Sequence, residues 1–96
     1  MSNMKVLLVD DHSVVRMGFK MLIESEKDME IIAEADSGEN GIKAYKEHTP
    51  DVTVMDITMP GIGGLEAIDR ILAHDKNAKI LVLSAHKDSV HPKRAL

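Results

Sequence analysis

Two groups of acidic residues stand directly after short apolar runs, and they are the strongest candidates for chemistry in this sequence. Asp10 and Asp11 follow residues 6–9, and Asp56 follows residues 52–55. Carboxylates about 4–5 Å apart repel by roughly 3–4 kcal/mol per pair at an effective dielectric constant of about 20. Such a group takes up a proton or binds a cation. Oxygen ligands without Cys or His at matching spacing favour a hard ion, Mg²⁺ or Mn²⁺.

An acidic site that holds such an ion suits phosphoryl transfer. The ion offsets charge on the transferred group while one carboxylate attacks phosphorus, and an aspartyl phosphate is a known product of that attack. Each acidic group also has a purely structural interpretation. Asp10 and Asp11 could cap a helix, and Asp56 could end a strand and cap a turn. The functional interpretation requires both groups to lie at neighbouring strand ends.

The apolar runs predict the strands that would bring the acids together. Residues 6–9 are continuously apolar, which is typical of a central strand covered on both faces. Residues 52–55 are short and rich in β-branched side chains, so they predict a second buried strand. Two further strands are predicted over 29–33, nearer an edge of the sheet, and over 79–84.

Three helices are predicted between these strands, over about 14–26, 38–48 and 64–75. Ser13 is the expected N-cap of the first, and Ser37 and Gly38 start the second. A short final helical piece is expected from Asp88 or Ser89. The side chains predicted to face the core are Val15, Phe19, Leu22 and Ile23 in the first helix, Ile42 and Tyr45 in the second, and Leu65, Ile68, Ile71 and Leu72 in the third.

Alternation of strands and helices predicts parallel βαβ units, and therefore an α/β fold with helices on both faces of one sheet. In the flavodoxin-like strand order 2-1-3-4, the first and third strands are neighbours. That order places Asp10, Asp11 and Asp56 at the same rim, where ligands bind in open α/β sheets. Ser84 ends the fourth strand at the same rim.

Composition narrows the class of protein. The chain has 96 residues, which predicts one domain over residues 1–96, and it has no Cys for a disulfide or thiolate metal site. Its net charge of −4, one Tyr, one Phe and no Trp argue against direct nucleic-acid contact. Neither a signal peptide nor a bilayer-spanning run is visible, so we expect a cytoplasmic protein without membrane contact.

Three separated stretches resemble the receiver domain of two-component response regulators, a CheY-like fold. They are residues 6–12 (VLLVDDH), 54–61 (VMDITMPG) and 81–85 (LVLSA). The pattern Asp-Asp-His-x-x-Val-Arg-x-Gly at residues 10–18 further resembles the subfamily that controls a LuxR-type helix-turn-helix output domain.

The resemblance implies a role for each residue at the rim. Asp56 would be the phosphoacceptor, and Asp11 would bind Mg²⁺ or Mn²⁺ with help from Asp10. The backbone carbonyl of Thr58 would be a further ligand, and Ser84 would be the switch hydroxyl that responds to the phosphoryl group. The donor would be a sensor histidine kinase. The domain would therefore be a signalling module that regulates transcription, with self-directed phosphotransfer and autodephosphorylation rather than turnover of a free substrate.

The sequence departs from the family at its carboxyl end. It stops at Leu96, near the family's fourth helix, before the fifth strand with its lysine and the fifth helix, and it carries no DNA-binding domain. We therefore expect a truncated receiver in which phosphorylation is impaired. The fourth strand would lack its outer neighbour, so we expect homodimers or swapped oligomers through that strand.

Two other function classes are alternatives to a phosphoacceptor signalling domain. A haloacid-dehalogenase-type phosphatase also uses a strand-end Asp with Mg²⁺, but residues 56–58 read Asp-Ile-Thr and lack its second acid. A phosphorylation-independent interaction module would use the fold alone. The five histidines share no metal-ligand spacing; His12 is expected near the acids but not as a ligand.

Overall fold

A four-stranded parallel sheet carries the acidic rim. The structure is a computed structural model that describes residues 3–59 and 61–83. The strands are β1 (Met4–Val9), β2 (Met29–Ala35), β3 (Val52–Asp56) and β4 (Ile80–Leu83), and the helices are α1 (Ser13–Glu24), α2 (Gly38–His48) and α3 (Gly63–His74). The order β2-β1-β3-β4, with every pair parallel, confirms the flavodoxin-like arrangement.

The central strand β1 is buried on both faces, as predicted. Leu7 and Val9 pack with residues of α2 and α3, whereas Val6 and Leu8 pack on the other face. The helix residues in or packed against these two clusters are Ile42, Ala44, Tyr45, Ala67, Ile68 and Ile71 on the first face and Phe19 and Ile23 on the second. Helices on both faces therefore hold β1 and β3 in place, and with them the acids that follow.

Three of the predicted core positions are wrong. Leu22, Leu65 and Leu72 are exposed. The α3 face that meets the sheet consists of Gly64, Ala67 and Ile71, which are buried. A leucine one residue away from such a face is rotated by about 100° around the helix axis.

The boundaries of the elements differ slightly from the predictions. α1 begins at Ser13, so the prediction of Ser13 as its N-cap is wrong; His12 holds that position without a side-chain cap. The Ser37 hydroxyl does cap α2, by accepting the Asn40 N–H at 3.1 Å. The predicted switch residue Ser84 and the final helical piece lie outside the described residues. In the two described ranges, no helix combines the length and the apolar character that crossing a membrane requires.

Candidate functional site

The strand register brings the predicted acids together. Val9 of β1 pairs with Met55 of β3, so Asp10 and Asp56 are the next residues at the same rim. Both are completely buried, whereas Asp11 is partly exposed. One ligand atom each from Asp10, Asp11, His12 and Asp56 can be chosen so that all four lie within 4.8 Å of one another. The predicted meeting of the acidic groups is therefore present in the fold.

The two oxygens of the Asp56 carboxylate have different surroundings. Oδ1 accepts hydrogen bonds from the Thr58 N–H at 3.0 Å and from the Thr58 hydroxyl at 2.9 Å. Oδ2 is buried and has no hydrogen-bond partner among the described residues. Thr58 therefore fixes the orientation of this carboxylate and leaves one oxygen free for a ligand.

Asp10 shows the same division between its oxygens. Oδ1 accepts the backbone N–H of His12 at 2.8 Å, while Oδ2 is buried without a partner in the described part of the chain. Leaving a buried carboxylate oxygen unpaired is costly unless a cation or a donor reaches it. Asp11 Oδ1 and Asp56 Oδ2 are also buried without a hydrogen-bond partner among the described residues, so three such oxygens form an oxygen-rich set that fits Mg²⁺.

The imidazole of His12 lies against these carboxylates. Its Nδ1 lies 3.0 Å from Asp11 Oδ1, 3.2 Å from Asp10 Oδ1 and 3.7 Å from Asp56 Oδ2. The hydrogen bond to Asp10, followed by the charge of Asp11, raises the pKa of the His12 imidazole above 6.5. The sequence placed His12 near the site, because it directly follows the acids, but gave no sign that its ring would stand among them.

Backbone contacts hold the three-residue loop between β1 and α1. The Asp10 N–H donates to the carbonyl of Ala35 at 3.0 Å, and the Asp10 carbonyl accepts from Arg16 Nη1 at 2.5 Å. The Arg16 Nε also donates to Glu34 Oε1 at 3.3 Å. In the sequence, Arg16 stands out only as part of a motif. Its contact with Asp10 could not be predicted, because it depends on the side chain reaching back across the loop.

A glycine allows α3 to start directly against the end of β3. A Cβ placed on Gly64 would lie 2.2 Å from the Asp56 carbonyl oxygen and 2.6 Å from the Ile57 Cα. Any side chain here would collide with backbone that cannot move without displacing Asp56. The position of α3 and the position of the candidate phosphoacceptor are therefore coupled.

Comparisons with known proteins identify the family. The family model described as the response regulator receiver domain matches residues 6–96. The response regulator UvrY of Escherichia coli strain K12 is 40% identical over 91 residues, which cover 95% of this chain and 42% of UvrY. The chain therefore spans less than half the length of this relative.

Solved structures agree with this assignment. A two-component response regulator of the LuxR family from Aurantimonas sp. SI85-9A1 matches with a TM-score of 0.86 and 40% identity, over 98% of this chain and 67% of that chain. A chain in the CheX–CheY–BeF3–Mg²⁺ complex from Borrelia burgdorferi matches with a TM-score of 0.80 and 32% identity, over 98% of this chain and 71% of that chain. Neither the phosphatase nor the phosphorylation-independent alternative gains support from these matches. The chain belongs to the response regulator receiver domain family.

Proposed function

We propose that Asp56 accepts a phosphoryl group from a sensor histidine kinase in a Mg²⁺-dependent reaction. The observation that carries this proposal is the buried, unpartnered Oδ2 of Asp56, which faces a cluster containing two further carboxylates. A neutral pocket or a fully hydrogen-bonded carboxylate would leave no atom ready to bind phosphorus or an ion. This cluster offers an oxygen that can attack phosphorus and oxygens that can bind an ion, all close together.

The cation would be held by the carboxylates of Asp10, Asp11 and Asp56 and by the backbone carbonyl of Thr58. When bound, Mg²⁺ would supply positive charge against the oxygens of the incoming phosphoryl group. The related structure from Borrelia burgdorferi is a complex with Mg²⁺ and BeF3, a phosphoryl analogue, which supports Mg²⁺ as the cation. Mn²⁺ has the same preference for oxygen donors and is the expected substitute.

The chain's own residues then orient and receive the group. Thr58 holds Oδ1 of Asp56 through two hydrogen bonds, so the carboxylate plane is set before the donor arrives. An Asp56 oxygen forms the new O–P bond while the P–N bond of the donor phosphohistidine breaks. The released imidazole leaves with the bonding electron pair and takes a proton from water.

The proposed consequence is control of transcription in the cytoplasm. The similarity to a LuxR-family regulator supports control of a DNA-binding output domain in a longer protein. The net charge of −4 and the low aromatic content argue against nucleic-acid contact by the receiver itself. Ser84 is proposed as the switch hydroxyl that hydrogen-bonds the new phosphoryl oxygen. Ser84 lies outside the described residues, and its proposed role comes from the resemblance to the family.

The second proposed partner is another copy of this chain, bound through β4. β4 is an edge strand of the described sheet, and Leu81 and Val82 on it are 61% and 51% exposed. Exposed apolar side chains on an edge strand with unpaired backbone groups favour pairing with another chain. A homodimer or a swapped oligomer would cover this surface.

Phosphorylation by a small-molecule donor tests the proposed chemistry. The chain is incubated with acetyl phosphate and Mg²⁺, and its intact mass is followed over time. We expect one phosphoryl group to be added, none when EDTA removes the metal, and none in Asp56→Asn. Asp69→Asn, which changes an exposed acid on α3, is the matched control and is expected to behave like the unsubstituted chain. Equal labelling of Asp56→Asn would contradict the proposal.

A further inference from the structure

Arg16 is a charged residue to which the proposed reaction gives no role, yet it touches the backbone of the acid cluster. Its Nη1 donates to the Asp10 carbonyl at 2.5 Å, and its Nε donates to Glu34 Oε1 at 3.3 Å. Its side chain is 22% exposed, so most of it is covered by these neighbours. One guanidinium on α1 therefore joins the end of β2 to the end of β1.

A hydrogen bond to the Asp10 carbonyl can influence both acids, because this carbonyl belongs to the peptide group between Asp10 and Asp11. A peptide group is planar, so fixing its carbonyl also fixes the direction in which the chain enters Asp11. The Asp10 N–H is held separately by the Ala35 carbonyl at 3.0 Å. Both polar backbone groups of Asp10 are thus tied to neighbouring elements, and Arg16 supplies the only side chain among these ties in the described residues.

We infer that Arg16 is a positioning residue for the cation site, acting through the Asp10 carbonyl to orient Asp10 and Asp11 toward the ion. This inference rests on the proposed function, because it concerns the affinity of the same site. Groups that orient metal ligands without touching the metal typically change its affinity by about 10–100-fold when they are removed. Glu34 keeps the guanidinium in place through a charge-assisted hydrogen bond.

Two effects of Arg16 on a bound cation have opposite signs. Its positive charge repels the ion, so loss of charge alone would tighten binding. Its hydrogen bond orients the ligands, so loss of that bond would weaken binding. Glu34 offsets the charge of Arg16, which reduces the first effect and leaves orientation as the larger one. The direction of the change in affinity therefore separates positioning from simple electrostatics.

The test compares three variants by their dissociation constants for Mg²⁺, measured from the Asp11 amide signal in NMR titrations at fixed ionic strength. Arg16→Met removes the guanidinium and keeps the stem of the side chain. Arg16→Lys keeps the charge but has a single nitrogen, so it cannot form the same fork to Asp10 and Glu34. Lys20→Met is the control, because Lys20 Nζ contacts Glu34 at 3.4 Å through the other carboxylate oxygen.

We expect the dissociation constant to rise roughly tenfold in Arg16→Met, to rise less in Arg16→Lys, and to stay within about twofold in Lys20→Met. An unchanged or lower dissociation constant in folded Arg16→Met overturns the inference. If Arg16→Met does not fold, an unchanged constant in Arg16→Lys overturns it. If the unsubstituted chain does not bind Mg²⁺, the proposed function is overturned as well. If that chain and the Arg16 variants bind Mg²⁺ equally, only the positioning role of Arg16 is overturned.

Discussion

At the scale of single residues, the site brings buried carboxylates close together. Asp10 and Asp56 each bury one carboxylate oxygen that has no hydrogen-bond partner in the described residues. Their mutual repulsion is only partly offset by the half-exposed imidazole of His12. We expect repulsion among these carboxylates to lower the stability of the metal-free fold.

Replacing the phosphoacceptor is expected to stabilise the metal-free chain. In Asp56→Asn the amide oxygen can still accept both bonds from Thr58, and the new NH₂ can donate to a neighbouring carboxylate. The free energy of unfolding in urea should rise by about 1–3 kcal/mol without metal. Asp69→Asn, on an exposed position, should change it by less than about 0.5 kcal/mol. A loss of stability in Asp56→Asn would contradict the description of the cluster.

Cation binding should reduce this difference in stability. At a Mg²⁺ concentration about ten times the dissociation constant, the unsubstituted chain gains about 1.4 kcal/mol, because the ion binds the folded state alone. Asp56→Asn, which lacks one ligand, should gain less at the same concentration. Urea unfolding with and without Mg²⁺ measures both values, and equal gains in the two chains would exclude Asp56 as a ligand.

At the scale of secondary-structure elements, the contact between α3 and β3 determines where Asp56 lies. Gly64→Ala would push a methyl group into the Asp56 carbonyl, so we expect a loss of about 1–3 kcal/mol in the free energy of unfolding. Gly18→Ala is the matched control, because a Cβ at Gly18 in α1 meets nothing within 4 Å. That control should gain about 0.4–1 kcal/mol. Equal effects of the two substitutions would contradict the close approach of α3.

A second link between elements joins α2 to the residue after α3. The buried Tyr45 hydroxyl donates to Asp75 Oδ2 at 2.7 Å. This bond, with the Asn77 N–H, lowers the pKa of Asp75 below 3.8. Burial, with the Asp75 bond second, raises the pKa of Tyr45 from 10.0 to about 12. Both groups therefore favour the fold in the neutral pH range.

The pH dependence of stability follows from these directions. Asp75 stabilises the fold above pH 3.8, and this contribution is lost as pH falls through its lowered pKa. Tyr45 stabilises the fold below pH 10.0, and this contribution is lost as pH rises from 10.0 towards about 12. In Tyr45→Phe both dependences should be weaker when unfolding is measured across these ranges. An unchanged profile would mean that the bond does not form.

The elements and the acid cluster could be predicted from sequence because both depend on local runs. An apolar strand that ends at an acid fixes where Asp10 and Asp56 lie once the parallel order is known. Which side of α1 and of α3 packs on the sheet was harder to predict. The exposed Leu22 and Leu65 fit a helical period as readily as buried residues do. The contact of Arg16 with Asp10 depends on how a long side chain crosses a loop, which spacing does not reveal.

At the scale of the whole molecule, the exposed edge strand β4 is the proposed site of self-association. We expect the mass measured by light scattering to increase with concentration, because Leu81 and Val82 leave β4 apolar and exposed. Val82→Lys should reduce this increase, since a lysine on an edge strand opposes pairing. Met21→Lys, which changes an exposed apolar residue of α1, is the control and should not reduce it. A constant monomer mass would contradict association through β4.

The most direct test of the central claim is a titration of the chain with beryllofluoride and Mg²⁺, followed residue by residue by NMR. The amide signals of Asp11, Asp56 and Thr58 should shift together and saturate when both reagents are present. They should not do so with beryllofluoride alone, nor in Asp56→Asn. Unchanged signals in the unsubstituted chain, or the same shifts in Asp56→Asn, would contradict a cation-dependent phosphoacceptor at Asp56.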